Sequence, residues 1–436
     1  MTPHAQSVRA YLRELDARGW LQSVAERVDP RFEISAYLCR AGAGPALRFD
    51  DVAGSDLRVF GNLLANRERI ALGLNTVPRE LQTRIVQAIR HPVAAVLVEA
   101  APCQEMVQEL PDLVRLPIPT FFEHETGPYL TAGAIVAQGN LSFARVKPLG
   151  GNAAFIGIAP EHHLAVLARR AHSQGKRLPI ALTLGNHPAV LIAAALYLGL
   201  GEDELRVAGA LFERPVEVAL TAHGLAVPAH CEIVLEGEID TGAAVPEGPV
   251  SEYHGMYEDY GAGLRVEFTR LTRRRDAMLQ VIQPGYYPEH VWIGAEAIAA
   301  SLVHRLGKDF PLREIAITPG GAGRLHAVVA LTDGAQARRA MQAVWDAVRL
   351  VKLVTVVDAD IDPWDPQQVE WAVATRMRAE RDVVIVPPAP TSRSDPLARD
   401  GKVGKLGIDA TRKPGDRADW RLARPPAEVM RKIQGG

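Results

Sequence analysis

Apolar residues three and four apart predict a helix over "SVRAYLRELDARGWL", because a 3.6-residue period gathers them on one face. Short segments of alternating kind follow. "ALRFDDV" and "DLRVFGNLL" read as strands, and "ERIALGL" and "RELQTRIVQAI" as helices. The stretch from Leu110 to Gly133, "LPDLVRLPIPTFFEHETGPYLTAG", is rich in proline and aromatic residues and marks a boundary.

From about Leu130 the pattern becomes short strands between glycines and prolines. They are "YLTAGAIVAQ", "LSFARVKPLG", "NAAFIGIA", "PIALTLG", "VEVALTAHGLAVPAHCEIVLEGEI" and "LRVEFTRLTRR". Such a series predicts a β-barrel or a compact mixed sheet. Two helical segments, "HHLAVLARRAHSQG" and "PAVLIAAALYLGL", interrupt it. After Pro284 the helix–strand alternation returns, from "GAEAIAASLVHRL" to "RDVVIVP". The tail from Thr391 reads as polar loop with "GKLGIDAT" embedded. The expected fold class is a multidomain α/β (α+β) protein divided at 1–109, 110–284 and 285–436.

A chain of 436 residues exceeds what one core usually organises, which agrees with that division. A formal net charge of -2 gives no electrostatic footprint for nucleic acid. The basic run Arg270 to Asp276 reads as a solvated turn. Cys39, Cys103 and Cys231 stand far apart and predict neither a disulfide frame nor a thiolate zinc site. The N-terminal segment carries charges throughout, unlike a signal peptide, and no stretch has the apolar length of a membrane span. A soluble, cytoplasmic protein is expected.

P-loops, dinucleotide fingerprints, H-E-x-x-H and nucleophile elbows are absent from the sequence. What remains are polar residues within apolar strands. In "GNLSFAR", Asn140 and Arg145 are five apart, so a regular strand points them to opposite faces unless a bulge or turn intervenes. His162 and His163 stand at a helix start, where a histidine caps or binds metal. Glu202, Asp203 and Glu204 crowd before another apolar segment and read alone as helix-dipole partners. "VPEGPVSEYHGMYEDYG", Val245 to Gly261, packs four carboxylates, a histidine and three tyrosines into a segment too broken for a plain helix.

Together these pieces resemble the UbiD decarboxylases, in order and over nearly the whole chain. The resemblance runs from "PALRFDDV" through "TGPYLTAG", "GNLSFAR", "LPIALTLGNHPA" and "DELRVAGAL". It continues in "VPAHCEIVLEGEI", "EGPVSEYHGMY", "VVDADIDPWDPQQVEWAVATR" and "GKLGIDAT". It implies a central split β-barrel that binds prenylated FMN, flanked by an N-terminal α/β region and a C-terminal α/β domain that builds a homodimer or higher oligomer. It implies a catalytic set of Arg145, Glu247 and Glu252, with Glu252 as proton donor and Glu247 orienting the arginine. It further implies a divalent ion, manganese or magnesium, on Asn140, His163 and Glu204, and a monovalent ion, potassium or sodium, nearby. Ser142, Phe143 and His162 join the implied cofactor set, and Lys405 resembles the lysine that reaches the flavin phosphate.

The implied reaction is the reversible, non-oxidative decarboxylation of an aromatic, heteroaromatic or α,β-unsaturated carboxylic acid through a covalent adduct with the cofactor. A flavin prenyltransferase is the implied supplier of that cofactor. Decarboxylation leaves a carbanion-like centre that no ordinary side chain stabilises, so a cofactor is required. The departures lie in the short chain, the compressed "VAQGN" and the segment "PGYYPEHVWIGAE". There Tyr286, Tyr287 and His290 fall where the family's substrate pocket lies and hint at an aromatic acid. A flavin oxidoreductase using plain FMN and a non-catalytic subunit are the alternative readings.

Overall fold

The short elements of the first hundred residues assemble through a partner from much later in the chain. In the computed structural model, Leu21–Val24, Ala46–Phe49 and Arg58–Gly61 form a sheet completed by Met278–Val281, which pairs parallel to Arg58–Gly61. Residues 4–417, 420, 423 and 425–434 are described. The helix predicted at the N-terminus spans Val8–Ala17, capped by the Ser7 hydroxyl, and buries Val8, Tyr11, Leu12 and Leu15. The helix Glu33–Ala41 was not anticipated; it starts without a side-chain cap, so the usual start signal is missing.

The strand-rich middle forms an eight-stranded sheet. Its order runs from Asn140–Phe143 through Ala134–Ala137, Leu178–Leu184, Ile233–Pro246, Ala262–Arg273 and Ala153–Gly157 to Arg145–Gly150. The two edge strands are consecutive in the chain and joined at Ala144. The sheet therefore curls until its edges meet at that residue, with no ladder between them among the described residues. Closure into a barrel is not formed, although an isolated bridge ties Leu130 to Val146. Met106–Glu109, on the N-terminal side of the 109/110 division, pairs with Ala262–Arg273 of this sheet.

The C-terminal sheet orders Leu312–Ile317, His326–Leu331, Leu353–Asp358, Lys402–Ala410 and Val383–Pro390. The segment around "GKLGIDAT", expected as loop, is thus an interior strand. Its glycines and lysines carry weak β-propensity, and two flanking strands override it. The helix Pro288–Leu306 joins the units. Ile293, Ala297 and Ala300 enter the core shared by the N-terminal and central parts, while Ala295, Ile298, Ala299 and Leu302 enter the C-terminal core. A helix buried on two sides needs apolar residues all round, which is how this one reads. Among the described residues no helix is long and apolar enough to cross a membrane.

Candidate active site

The strand Ile233–Pro246 ends at Glu247, and the chain turns at once. Gly248 has φ +78°, and a β-carbon there would lie 2.6 Å from Thr126 Cγ2, so both backbone conformation and contact exclude a larger residue. Val250–Ser251 and Tyr257–Glu258 then pair as a small hairpin, which holds Glu252 beside Glu247.

Arg145 reaches this turn from an edge strand of the sheet. Ending one strand at Phe143 and starting the next at Arg145 supplies the break that brings Asn140 and Arg145 out of strict alternation. The guanidinium grips Glu247 with two nitrogens: Nε donates to Oε1, and Nη2 donates to Oε2 at 2.7 Å. Nη1 makes no hydrogen bond among the described residues and lies 3.6 Å from Glu252 Oε1. Gly157 makes room, since a β-carbon there would fall 2.8 Å from Arg145 Cζ. Tyr260 flanks the guanidinium, its ring centre 5.3 Å from Cζ. Behind it, Lys147 Nζ donates to Thr126 Oγ1 at 2.8 Å and to the Glu247 carbonyl.

Electrostatics divide the two acids. Glu247 is buried and paired bidentately, so its charge is matched. Burial works against the Arg145 charge, but the hydrogen bonds and charge of Glu247 outweigh it and hold the arginine protonated. Burial raises Glu252 above the usual carboxylate range, against the pull of Arg145 and Arg324. One acid is thus fixed as a counter-ion and the other is disposed to carry a proton.

A second polar set lies at the edge strand Asn140–Phe143 of the same curled sheet. Asn140 opens the edge strand, His163 opens the helix His163–Ser173 and Glu204 opens the helix Glu204–Phe212. Asn140 Nδ2 lies 3.0 Å from Glu204 Oε1 and 3.3 Å from His163 Nδ1, and Leu141 N–H donates to Glu204 Oε2 at 2.8 Å. The predicted trio therefore converges. Burial pushes Glu204 up to about 7 and lowers His163. Ser142 Oγ donates to Asn140 Oδ1 at 3.1 Å, so Ser142 orients the amide, and Phe143 ends this strand partly buried.

Other expected residues stand elsewhere. His162 accepts from Leu164 N–H as an N-cap and is pushed down to about 4 by burial, which keeps it neutral. The Lys405 amine donates to the carbonyls of Arg349 and Val351 inside the C-terminal unit and makes no contact with Asn140, His163 or Glu204. As an interior strand residue it is held by neighbouring backbone. Tyr286 and Tyr287 line a pocket of about 410 Å³ with Phe122, Ser251, His254 and Met256, and the Arg145 set is not part of its wall. His290 is pushed down to about 3 by burial, and its Nδ1 faces the Gly285 carbonyl at 3.2 Å. Sequence reasoning missed Lys147, Tyr260 and Arg324. Only the glycine-rich turn before Arg324 could have signalled any of them.

Comparison with known proteins gives the class, a carboxy-lyase, and its kin. Three sequence models of 3-octaprenyl-4-hydroxybenzoate carboxy-lyase match: the N-terminal domain over 12–89, the Rift-related domain over 95–287 and the C-terminal domain over 291–410. The chain belongs to the UbiD family. It is 33% identical over 428 residues to anhydromevalonate phosphate decarboxylase of Methanosarcina mazei, covering 96% of this chain and 99% of that protein. Among solved structures, the UbiD-class enzyme HmfF of Pelotomaculum thermopropionicum in complex with FMN superposes with a TM-score of 0.91 at 36% identity, covering 98% and 99% of the two chains. Vanillic acid decarboxylase of Sedimentibacter hydroxybenzoicus superposes at 0.89 with 26% identity, covering 99% and 98%.

Proposed function

We propose that this chain catalyses the non-oxidative, reversible decarboxylation of an α,β-unsaturated carboxylic acid, aromatic and heteroaromatic rings included, with prenylated FMN as cofactor. The observation that carries the reading is the Arg145–Glu247–Glu252 arrangement at the open seam of the curled sheet. Prenylated FMN, when bound, supplies the electron sink that decarboxylation needs.

The chain's own residues do the rest. Glu247 locks two of the three guanidinium nitrogens and leaves Nη1 as the donor that holds a substrate carboxylate. Glu252, raised by burial, keeps a proton to deliver where the carboxylate departs. Lys147 and Thr126 fix the Glu247 backbone so that the acid cannot follow the substrate. A divalent cation fits Asn140, His163 and Glu204. Glu204 is a buried carboxylate with no cation within ion-pair distance among the described residues, and two helix N-termini beside it favour a phosphate. A half-turn of the Asn140 amide would aim its oxygen at the ion, with Ser142 then accepting from the amide nitrogen. Oxygen and nitrogen donors of this kind suit manganese or magnesium, with potassium or sodium close by.

The same reading takes the curled sheet as a split barrel, keeps the divisions 1–109, 110–284 and 285–436, and has the last unit form a homodimer in the cytoplasm. A flavin prenyltransferase supplies the cofactor. The test is mass spectrometry of the flavin released from protein coexpressed with that enzyme, beside carbon dioxide release from a panel of unsaturated acids. A prenylated mass with carbon dioxide release supports the reading. Plain FMN with hydride-transfer activity and no carbon dioxide overturns it in favour of an oxidoreductase.

A further inference from the structure

Outside both polar sets of the candidate site, three distant parts of the chain bring two histidines to one carboxylate. Glu217 opens the strand Glu217–Leu220, which pairs with Ala226–Pro228 and with Val96–Leu97. His230 follows the strand Ala226–Pro228, and His4 precedes the helix Val8–Ala17. His230 Nε2 lies 2.6 Å from Glu217 Oε2, and His4 Nε2 lies 3.4 Å from Glu217 Oε1. The two imidazoles stack, with ring centres 3.8 Å apart and planes 9° from parallel.

Neighbouring backbone holds all three in place. Gln6 brackets the start of the Glu217 strand: its Nε2 donates to the Pro215 carbonyl at 2.7 Å, and Glu217 N–H donates to its Oε1 at 3.0 Å. His4, two residues before Gln6, is thereby carried to the carboxylate. Ala229 N–H donates to the Glu217 carbonyl at 2.9 Å, and Arg274 Nη2 donates to the His230 carbonyl at 3.3 Å, which together fix His230. Burial holds His230 below the usual imidazole range, and the hydrogen bond to His230 holds Glu217 below the usual carboxylate range. A neutral imidazole and an ionised carboxylate are the states that cation ligands need. The cations whose charge is felt here do not occupy Glu217: Arg214 is exposed, and Arg274 lies 3.5 Å from Glu232.

The spacing suits one ion. All three donor atoms lie within 4.8 Å of one another, and ligands about 2.0–2.2 Å from a common tetrahedral ion stand about 3–3.5 Å apart. Parallel rings do not aim at one point, so His4, whose side chain is 36% exposed, must turn for the two to converge. Each Nε2 must also pass its proton to Nδ1. Nδ1 of His230 is buried without a partner among the described residues, so a proton there breaks no hydrogen bond. Nδ1 of His4 gives up only the long 3.3 Å contact from Gln6 N–H. We propose that His4, Glu217 and His230 bind a divalent transition-metal ion, zinc in the first place, with water completing its coordination on the exposed side. Two imidazoles and one carboxylate suit zinc, cobalt or nickel better than magnesium, which prefers oxygen. The ion staples the N-terminal segment to the Glu217–Leu220 sheet, and the site is independent of the decarboxylase reading.

The experiment titrates zinc chloride into the flavin-loaded full chain by calorimetry and follows the melting temperature with and without zinc. The variants are His4→Ala, Glu217→Gln and His230→Gln, with His163→Ala as the control at the other proposed cation site. The parent should take up a single equivalent of zinc that depends on the cluster, and its melting temperature should rise with zinc. Each cluster variant should weaken that binding at least ~10- to 100-fold, the loss that even an outer-shell partner causes, and should abolish the rise. His163→Ala should keep both. Affinity in the parent should fall as pH drops from about 7.5 to about 5.5, because protons compete for the imidazoles. His4 is partly exposed, so His4→Ala should melt like the parent in the absence of zinc, which separates a lost ligand from a damaged fold. No zinc uptake in the parent, or uptake unchanged in His4→Ala or Glu217→Gln, overturns the proposal and leaves the cluster a hydrogen-bonded trio. Loss of all zinc uptake in His163→Ala overturns it equally, since the ion then sits at the other site.

Discussion

Glu247 and Glu204 are both buried carboxylates beside one curled sheet, and they are treated in opposite ways. Glu247 receives two nitrogens of a guanidinium, so its charge is matched within the chain. Glu204 receives an amide and a backbone N–H, both neutral, and is pushed up to about 7. The first arrangement is finished by the polypeptide alone. The second has no cation within ion-pair distance among the described residues, as the proposed metal site requires. On the proposed function, the first is a device that positions a reacting group and the second one that retains a cofactor, and the contrast can be tested from either side.

The largest effect should come from Glu252, the acid beside the matched pair. Glu252→Gln removes the transferable proton, and turnover should fall about 100- to 10000-fold while flavin stays bound. Deuterium entry from heavy water into a product analogue should be suppressed equally; a variant that exchanges like the parent would move the donor role to Glu247. The pH profile follows with its sign. The Glu252 carboxyl is raised in the fold, so it stays protonated to higher pH than an ordinary glutamate. Activity governed by it should decline as pH rises through that raised value, and Glu252→Gln should erase this limb.

Next come the cation ligands. His163→Ala and Glu204→Ala should each lower metal content and flavin retention together, on the order of tenfold or more, because ligands share the ion's binding energy. Full metal and flavin in both variants, measured by elemental analysis and absorbance, would break the contrast.

Stability sharpens it further, since the two acids should respond with opposite signs. Glu247→Gln strands Arg145 and should cost roughly 3 kcal/mol. Glu204→Gln in chelator-treated protein should stabilise by on the order of 1–3 kcal/mol at pH 8, because a buried charge is removed. That gain should shrink as pH falls from about 7 toward the unfolded-state value near 4.5, where the parent carboxyl is protonated in both states. Denaturant titrations at two pH values read both; a loss in each variant would mean that Glu204 is already compensated.

The smallest effects should come from Tyr286, Tyr287 and His290. Single changes should alter relative rates among acids by a few-fold with flavin unchanged. A uniform fall in all rates with flavin loss would make the segment structural.

Much of this site was legible in the chain because its chemistry is local. Glu247 and Glu252 share one turn, and the glycine and proline between them announce it. Asn140, His163 and Glu204 could be named from resemblance, yet their meeting depends on one strand and two helices starting at the same place, which hydrophobic alternation cannot reveal. The strand that carries Lys405 was missed because a glycine-rich segment reads as loop until neighbouring strands claim it. Arg324 escaped because its seat is made by Gly294, thirty residues upstream on a different element.

The parallel pairing of Met278–Val281 with Arg58–Gly61 also bears on how the molecule is made. During synthesis the first strands leave the ribosome long before their partner exists, and Arg58–Gly61 keeps an open, apolar edge until the chain has passed residue 281. Such an edge is an invitation to wrong neighbours. The nascent N-terminal segment must therefore wait, or be sheltered by a chaperone, and truncation before Met278 should give aggregation rather than a stable fragment.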